Sequence, residues 1–196
     1  MEHPLVVASR VRSAASLIER TGANDDAYLE HDDSAFCALT DFRRDYLITV
    51  EADGSIDDAL ADMNRLGVHA LLVTRQELGG IEQQVVGLIT YYDIERSRPH
   101  RSPQATIPSK GRIIRVTDVM TPWNELSLIN YESLQTLTAS DVYEMFQGTG
   151  LTHLLVIENH GDESVVARGL LSRATLAKRL RRIRGSRSRQ LVPGPP

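Results

Sequence analysis

The chain has 196 residues, 41 % of them hydrophobic and 24 % charged, which places it among soluble globular proteins with room for one ordinary domain or two small ones around a shared core. Aromatic residues make up only 5 %, so that core must be mainly aliphatic, and a net charge of −4 gives no general reason to bind nucleic acid. The single cysteine, Cys37, excludes an intramolecular disulfide scaffold and fits a reducing, cytoplasmic setting.

Residues 1–20 scatter Glu2, Arg10, Arg12, Glu19 and Arg20 among short apolar groups and lack the continuous apolar stretch of a signal peptide. The rest of the extension, to residue 35, holds an acidic patch of Asp25, Asp26, Glu30, Asp32 and Asp33. A first unit is expected over residues 36–98. Its lead-in, Leu39-Thr-Asp-Phe42, precedes a strand, Leu47-Ile-Thr-Val50. A helix then runs from Ser55 to Gly67. Ser55 serves as N-cap, Asp58 sits at the positive helix end, Ile56, Ala59, Leu60 and Met63 share one face, and Gly67 closes it. The strand His69-Ala-Leu-Leu-Val73, a turn at residues 77–80, and the strand Val85-Val-Gly-Leu-Ile89 follow; a second helix opens at Thr90. Residues 99–114 form a linker with three prolines in its neighbourhood and no period.

The second unit, residues 115–183, repeats the first. Met120-Thr-Pro-Trp123 and Leu128-Ile-Asn-Tyr131 take the places of the lead-in and the first strand. Thr138 and Asp141 start the helix, Ala139, Val142, Tyr143 and Phe146 give its apolar face, and Gly150 ends it, 83 residues after Gly67. Thr152-His-Leu-Leu-Val156, a turn at 159–162, Val166-Ala-Arg-Gly-Leu-Leu171 and a helix from Ser172 complete it, with two extra residues expected between 132 and 137. The basic stretch of residues 178–184 continues the last helix as a solvated face. A disordered, basic tail is expected over 184–196. The fold expected is therefore α/β (α+β): two β-α-β-β-α units packed with pseudo-two-fold symmetry, because one unit of this size buries too little surface alone.

The duplicated unit resembles the CBS (cystathionine-β-synthase) domain family. The resemblance rests on the strand–helix–strand–strand–helix order, on its two copies, on Met120-Thr-Pro122 preceded by Val116-Thr-Asp-Val119, and on Gly87-Leu-Ile-Thr-Tyr-Tyr-Asp93. It implies a regulatory module, not an enzyme, that binds an adenine nucleotide (AMP, ADP, ATP or an adenosyl cofactor) and requires no resident cofactor. Thr90 would meet the phosphate and Asp93, three residues on and on the same side, the ribose. The same pair also serves as an ordinary helix cap and first-turn acid. Ser172 keeps the hydroxyl in the second copy, but Thr175 replaces the carboxylate, so the two sites are expected to be unequal. His69 and His153 occupy strand positions from which family members reach phosphate, and Arg112, Arg115 and Arg173 are candidates for the same rim. The resemblance places the adenine against Thr40, Asp41 and Ile48 in the first site and against Met120, Thr121 and Ile129 in the second. It further implies a homodimer and a separate effector protein. A ligand-free interaction scaffold is the alternative. The histidines show no metal-ligand spacing, and no apolar run is long enough to cross a bilayer.

Overall fold

In the computed structural model, residues 5–6, 11–13, 28–45, 47–76, 83–98, 113–160 and 164–180 are described. The expected turn at 77–80, part of the turn at 159–162, most of the linker with Arg112, the acids Asp25 and Asp26, and the basic tail lie outside the described residues. Two short strands, β1 (Leu5–Val6) and β2 (Val11–Ser13), occur in the N-terminal extension, where the sequence carries no strand pattern. A 3-10 turn at Ala35–Ala38 and strand β3 (Thr40–Asp41) lead into the first unit: β4 (Leu47–Glu51), α1 (Ile56–Leu66), β5 (Ala70–Gln76), β6 (Gln83–Thr90) and α2 (Tyr91–Ser97). Strand β7 (Thr121–Pro122) leads into the second: β8 (Leu128–Asn130), α3 (Tyr131–Leu134), α4 (Ala139–Thr149), β9 (His153–His160), β10 (Ser164–Ser172) and α5 (Arg173–Arg179).

Local chemistry accounts for the two long helices. The Asp58 N–H donates to Ser55 Oγ at 3.0 Å to start α1, and Ile56, Ala59, Leu60, Met63 and Leu66 are buried along one face. At α4 the Thr138 N–H donates to Asp141 Oδ2 at 2.8 Å and the Asp141 N–H donates back to Thr138 Oγ1 at 3.2 Å, a reciprocal capping box. Gly67 and Gly150 end the two helices at φ 63° and 73°, a left-handed turn that costs an L residue roughly 1–2 kcal/mol.

Strand pairing repeats as well. β4 runs parallel to β5 and β5 antiparallel to β6; β8 runs parallel to β9 and β9 antiparallel to β10. Each hairpin has one extra residue at the matching place, Val86 in the first and Arg168 in the second. The register corrects the alignment of the two copies. Thr49 faces Leu72 and Leu128 faces Leu155, so the counterpart of Ile129 is Val50 and not Ile48. The second unit consequently carries four extra residues before its long helix, not two, and they form the single helical turn α3.

The lead-in segments are exchanged between the units. Thr121 of β7 pairs with Leu88 of β6, and Thr40 of β3 pairs with Leu170 of β10. The exchange continues upstream. The Ile56 N–H donates to the Ile114 carbonyl and the Val116 N–H to that of Gly54, while the Ala35 N–H donates to the Leu137 carbonyl and the Ala139 N–H to that of Asp33. Residues 28–45 thus serve the second unit and residues 113–122 the first. The strand glycines make this possible. A Cβ on Gly87 would lie 2.5 Å from the Thr121 carbonyl oxygen, and one on Gly169 would lie 2.6 Å from that of Thr40.

The core has three parts. One lies between sheet and helices in each unit, built on Ile56, Met63, Leu71, Val73 and Ile89 in the first and on Leu134, Val142, Phe146, Val156 and Leu171 in the second. The third joins the two sheets face to face through Leu47, Leu72, Val85 and Leu88 on one side and Leu155 and Ala167 on the other, with Trp123 between them. Each fully buried aliphatic side chain of this layer contributes about 1.5–3 kcal/mol of transfer free energy, which is why two small units are stable together.

Candidate functional site

Strand β6 ends at Thr90, which is 7 % exposed, and α2 begins one residue later. The Thr90 N–H and hydroxyl both donate to Asp93 Oδ2, at 2.9 and 2.6 Å, and the Asp93 N–H donates to Thr90 Oγ1 at 3.2 Å. The pair therefore forms a complete capping box, which leaves Asp93 Oδ1 outside that set of bonds. At the equivalent place Ser172 accepts the Thr175 N–H at 3.5 Å, and Thr175 has no carboxylate with which to return the bond.

Backbone bonds then tie each helix start to the head of a central strand. The Tyr91 N–H donates to the His69 carbonyl and the Arg173 N–H to the Thr152 carbonyl, both at 2.9 Å. This symmetry makes His69 the counterpart of Thr152, and His153 the counterpart of Ala70. His69 lies edge-on to Tyr91, with ring centroids 6.2 Å apart. In the strand register His153 faces Ser172, as Ala70 faces Thr90. Loss of hydration holds the half-buried His153 ring down to about 4; Asp93 opposes the shift, while His69 and Arg173 add to it. Charges of the first unit, Asp93 and His69, thus act on His153 of the second together with Arg173.

Comparison with known proteins gives the family. Residues 39–99 match the family model of the CBS domain. The chain carries a CBS domain. The second unit repeats that fold strand for strand with reciprocal lead-ins, an arrangement consistent with a tandem CBS module. Similar solved structures include CBSX2 from Arabidopsis thaliana, 22 % identical over 74 % of this chain and 92 % of that one with a TM-score of 0.47. CBSX2 in complex with AMP is 22 % identical over 74 % and 94 % at 0.49. The CBS domain of a bacterial CNNM/CorC family Mg2+ transporter in complex with ATP is 13 % identical over 76 % and 88 % at 0.48. A search of curated proteins finds no match.

The remaining candidate residues fall into packing positions of the CBS pair. The exchange puts Met120 and Thr121 on the strand that leads to Thr90, and Thr40 and Asp41 on the strand that leads to Ser172. Thr40 is exposed and Thr121 half-buried. Met120 and Ile48 pack into the core of the first CBS unit and Ile129 against that of the second. Arg115 lies 3.6 Å from Asp53 on the lead-in that covers the first unit.

Asp41 is engaged locally. It accepts from the Arg43 N–H at 2.8 Å and forms an ion pair with Arg168. The Arg168 side chain is 7 % exposed, its Nε is 3.4 Å from Glu158 Oε2, and its guanidinium lies 4.6 Å from the centre of the Tyr131 ring. Burial pushes the Arg168 titration down. The counterparts of Arg168 and Asp41 in the first unit are Val86 and Pro122, so the positions that hold an ion pair in one unit carry no charge in the other. The sequence reading missed this network. Its signal was a lone arginine inside the apolar run of residues 165–171. Among the described residues no group of three His, Cys, Asp or Glu side chains could hold a metal ion, and no helix is long and apolar enough to cross a membrane.

Proposed function

We propose that this CBS pair is a regulatory module that binds an adenine nucleotide between its two units and transmits binding to a separate effector protein. The observation that carries the reading is the duplicated strand-to-helix junction, capped by Asp93 at Thr90 and without an acid at Ser172, in two units whose lead-ins are exchanged. A carboxylate with free acceptor capacity suits the two hydroxyls of a ribose. Arg173 at a helix start and His153 on the neighbouring strand are groups that suit a phosphate. Thr175 leaves the place that mirrors Asp93 without an acid, so one nucleotide per chain binds tightly and a second weakly. The same chain in homodimeric form is the expected working unit, which sedimentation at micromolar concentration tests.

A ligand that binds only the folded state at a hundred times its Kd stabilises it by about 2.7 kcal/mol. For a chain of this length that raises Tm by roughly 5–10 °C. AMP, ADP and ATP at rising concentration should give such a shift. Asp93→Asn, which keeps an acceptor for the helix cap, should weaken the tightest event roughly tenfold to a hundredfold. The completed Thr90–Asp93 capping box favours the second reading, a ligand-free scaffold. No shift with any of the three nucleotides up to millimolar concentration would select that reading.

A further inference from the structure

We propose that the basic segment after the last helix, residues 181–189, docks on the acidic strap of residues 30–33 and clamps the N-terminal lead-in onto the second CBS unit. The inference is independent of nucleotide binding. The strap lies against the end of α5. The Leu29 N–H donates to the Arg179 carbonyl at 3.4 Å, and Arg179 Nη1 donates to the Cys37 carbonyl at 2.6 Å. Leu29 and Leu180 are both buried in the core of the second unit, so the chain leaves α5 beside the strap. Residues 181–189 carry five arginines and no acid. Glu30 and Asp32 are exposed, and Asp33 Oδ2 accepts the Glu30 N–H at 2.8 Å. A residue spans at most about 3.6 Å, so Asp32 and Arg182, each three residues on from the Leu29–Arg179 bond, are within about 11 Å of it before their side chains reach out.

The first unit already makes the equivalent contact. Arg98, which ends α2, pairs with Asp57 in the first turn of α1 at 2.7 Å. Counted from the helix caps, the counterparts in the second unit are Leu180 and Ser140, neither of them charged. Ser140 meets the strap instead. Its N–H donates to the His31 carbonyl at 3.2 Å, and its hydroxyl lies 3.1 Å from His31 Nδ1. The acids at this place are therefore Glu30 and Asp32, on either side of His31, and the cations are Arg181 and Arg182, directly past Leu180. The planar fork of an arginine suits a carboxylate. The lead-in is then held at both ends, by this clamp and by the Asp41–Arg168 ion pair where β3 joins β10.

The test is amide hydrogen exchange on the full chain in low salt, read at Leu29 and Ala35, whose N–H groups tie the strap to the Arg179 and Leu137 carbonyls. Two charge-neutralising variants are compared with the wild type: Arg181→Gln with Arg182→Gln and Arg184→Gln, and Glu30→Gln with Asp32→Asn. Two exposed ion pairs slow opening by about two- to thirtyfold, so each variant should exchange faster by that factor. The two sets combined should exchange no faster than either alone, because both remove one interaction. At about 1 M salt, where the screening length is about 3 Å, the wild type and the variants should converge. Exchange of the Val116 N–H, which ties the other lead-in to the Gly54 carbonyl, should stay unchanged. Unchanged exchange in the arginine variant overturns the proposal, as do effects of the two sets that add. Equal acceleration at Val116 also overturns it, since a general loss of stability would then explain the result.

Discussion

Asp41 separates a structural role from a ligand role, and Asp41→Ala is the perturbation that does so. The Asp41 and Arg168 side chains are 15 % and 7 % exposed, so each charge is largely out of water. Removing one member of a buried pair strands the other, at a cost of about 3–5 kcal/mol. Glu158, 3.4 Å from Arg168 Nε, partly compensates, which places the expected loss near the lower end, about 3 kcal/mol. For a chain of this length that lowers Tm by roughly 6–12 °C. The first CBS unit supplies the rescue, since Val86 and Pro122 fill the matching positions without charge. Adding Arg168→Val to Asp41→Ala should therefore recover stability to within about 1–2 kcal/mol of the wild type, the remainder being the lost cation–π contact with Tyr131 and the lost approach to Glu158, which keeps its ion pair with Arg43. Urea denaturation of both single variants and the double variant gives the coupling energy directly. A loss under 1 kcal/mol for Asp41→Ala, or a double variant as unstable as the sum of the singles, would refute the reasoning. Unchanged stability with AMP affinity lowered more than tenfold would return Asp41 to the ligand.

Gly87→Ala and Gly169→Ala should each destabilise by about 1–3 kcal/mol, because the added methyl meets a backbone carbonyl oxygen as well as the Met120 or Leu39 side chain, and the backbone oxygen cannot swing away. Hydrogen exchange should speed up at Thr121 in the first variant and at residues 40–41 in the second, while Gly148→Ala, at a helical site with open space around it, should be neutral or gain about 0.5–1 kcal/mol. The protein should also lose stability as pH falls. His153 titrates at about 4 when folded against an ordinary value of 6.5, so between those values the unfolded chain binds the extra proton and stability rises with pH. At about 1.4 kcal/mol per pH unit the effect reaches roughly 3 kcal/mol by pH 4, and the difference between wild type and His153→Asn in urea midpoints at pH 7 and pH 4.5 isolates it from the carboxylates. Equal midpoint changes in the two proteins would refute it.

The helix starts at Ser55 and Thr138 and the stops at Gly67 and Gly150 were legible because each depends on contacts within three or four residues of itself. The strand glycines were legible as a repeat, though not for the reason that requires them. Of the candidate site, Thr90, Asp93, His69 and His153 stood out by position in the duplicated pattern, and Arg173 only as a cation near the rim. The alignment slipped at Ile48 and Ile129 because apolar residues alternate in both strands and a two-residue shift preserves the pattern.

By itself, the sequence determined that this protein is built from two like units, where their helices begin and end, and which copy has lost its acid at Thr175. Only the tertiary structure decided that each lead-in crosses to the other unit, that α3 is the insertion, and that Arg168 finds Asp41 across 127 residues of chain. It also set His153 opposite Ser172 at the start of the last helix. Capping and helical periodicity are interactions between neighbours along the chain and leave a local mark. Pairing between distant segments depends on how two sheets stack through Leu72, Leu88, Leu155 and Trp123, and no single stretch of sequence encodes that.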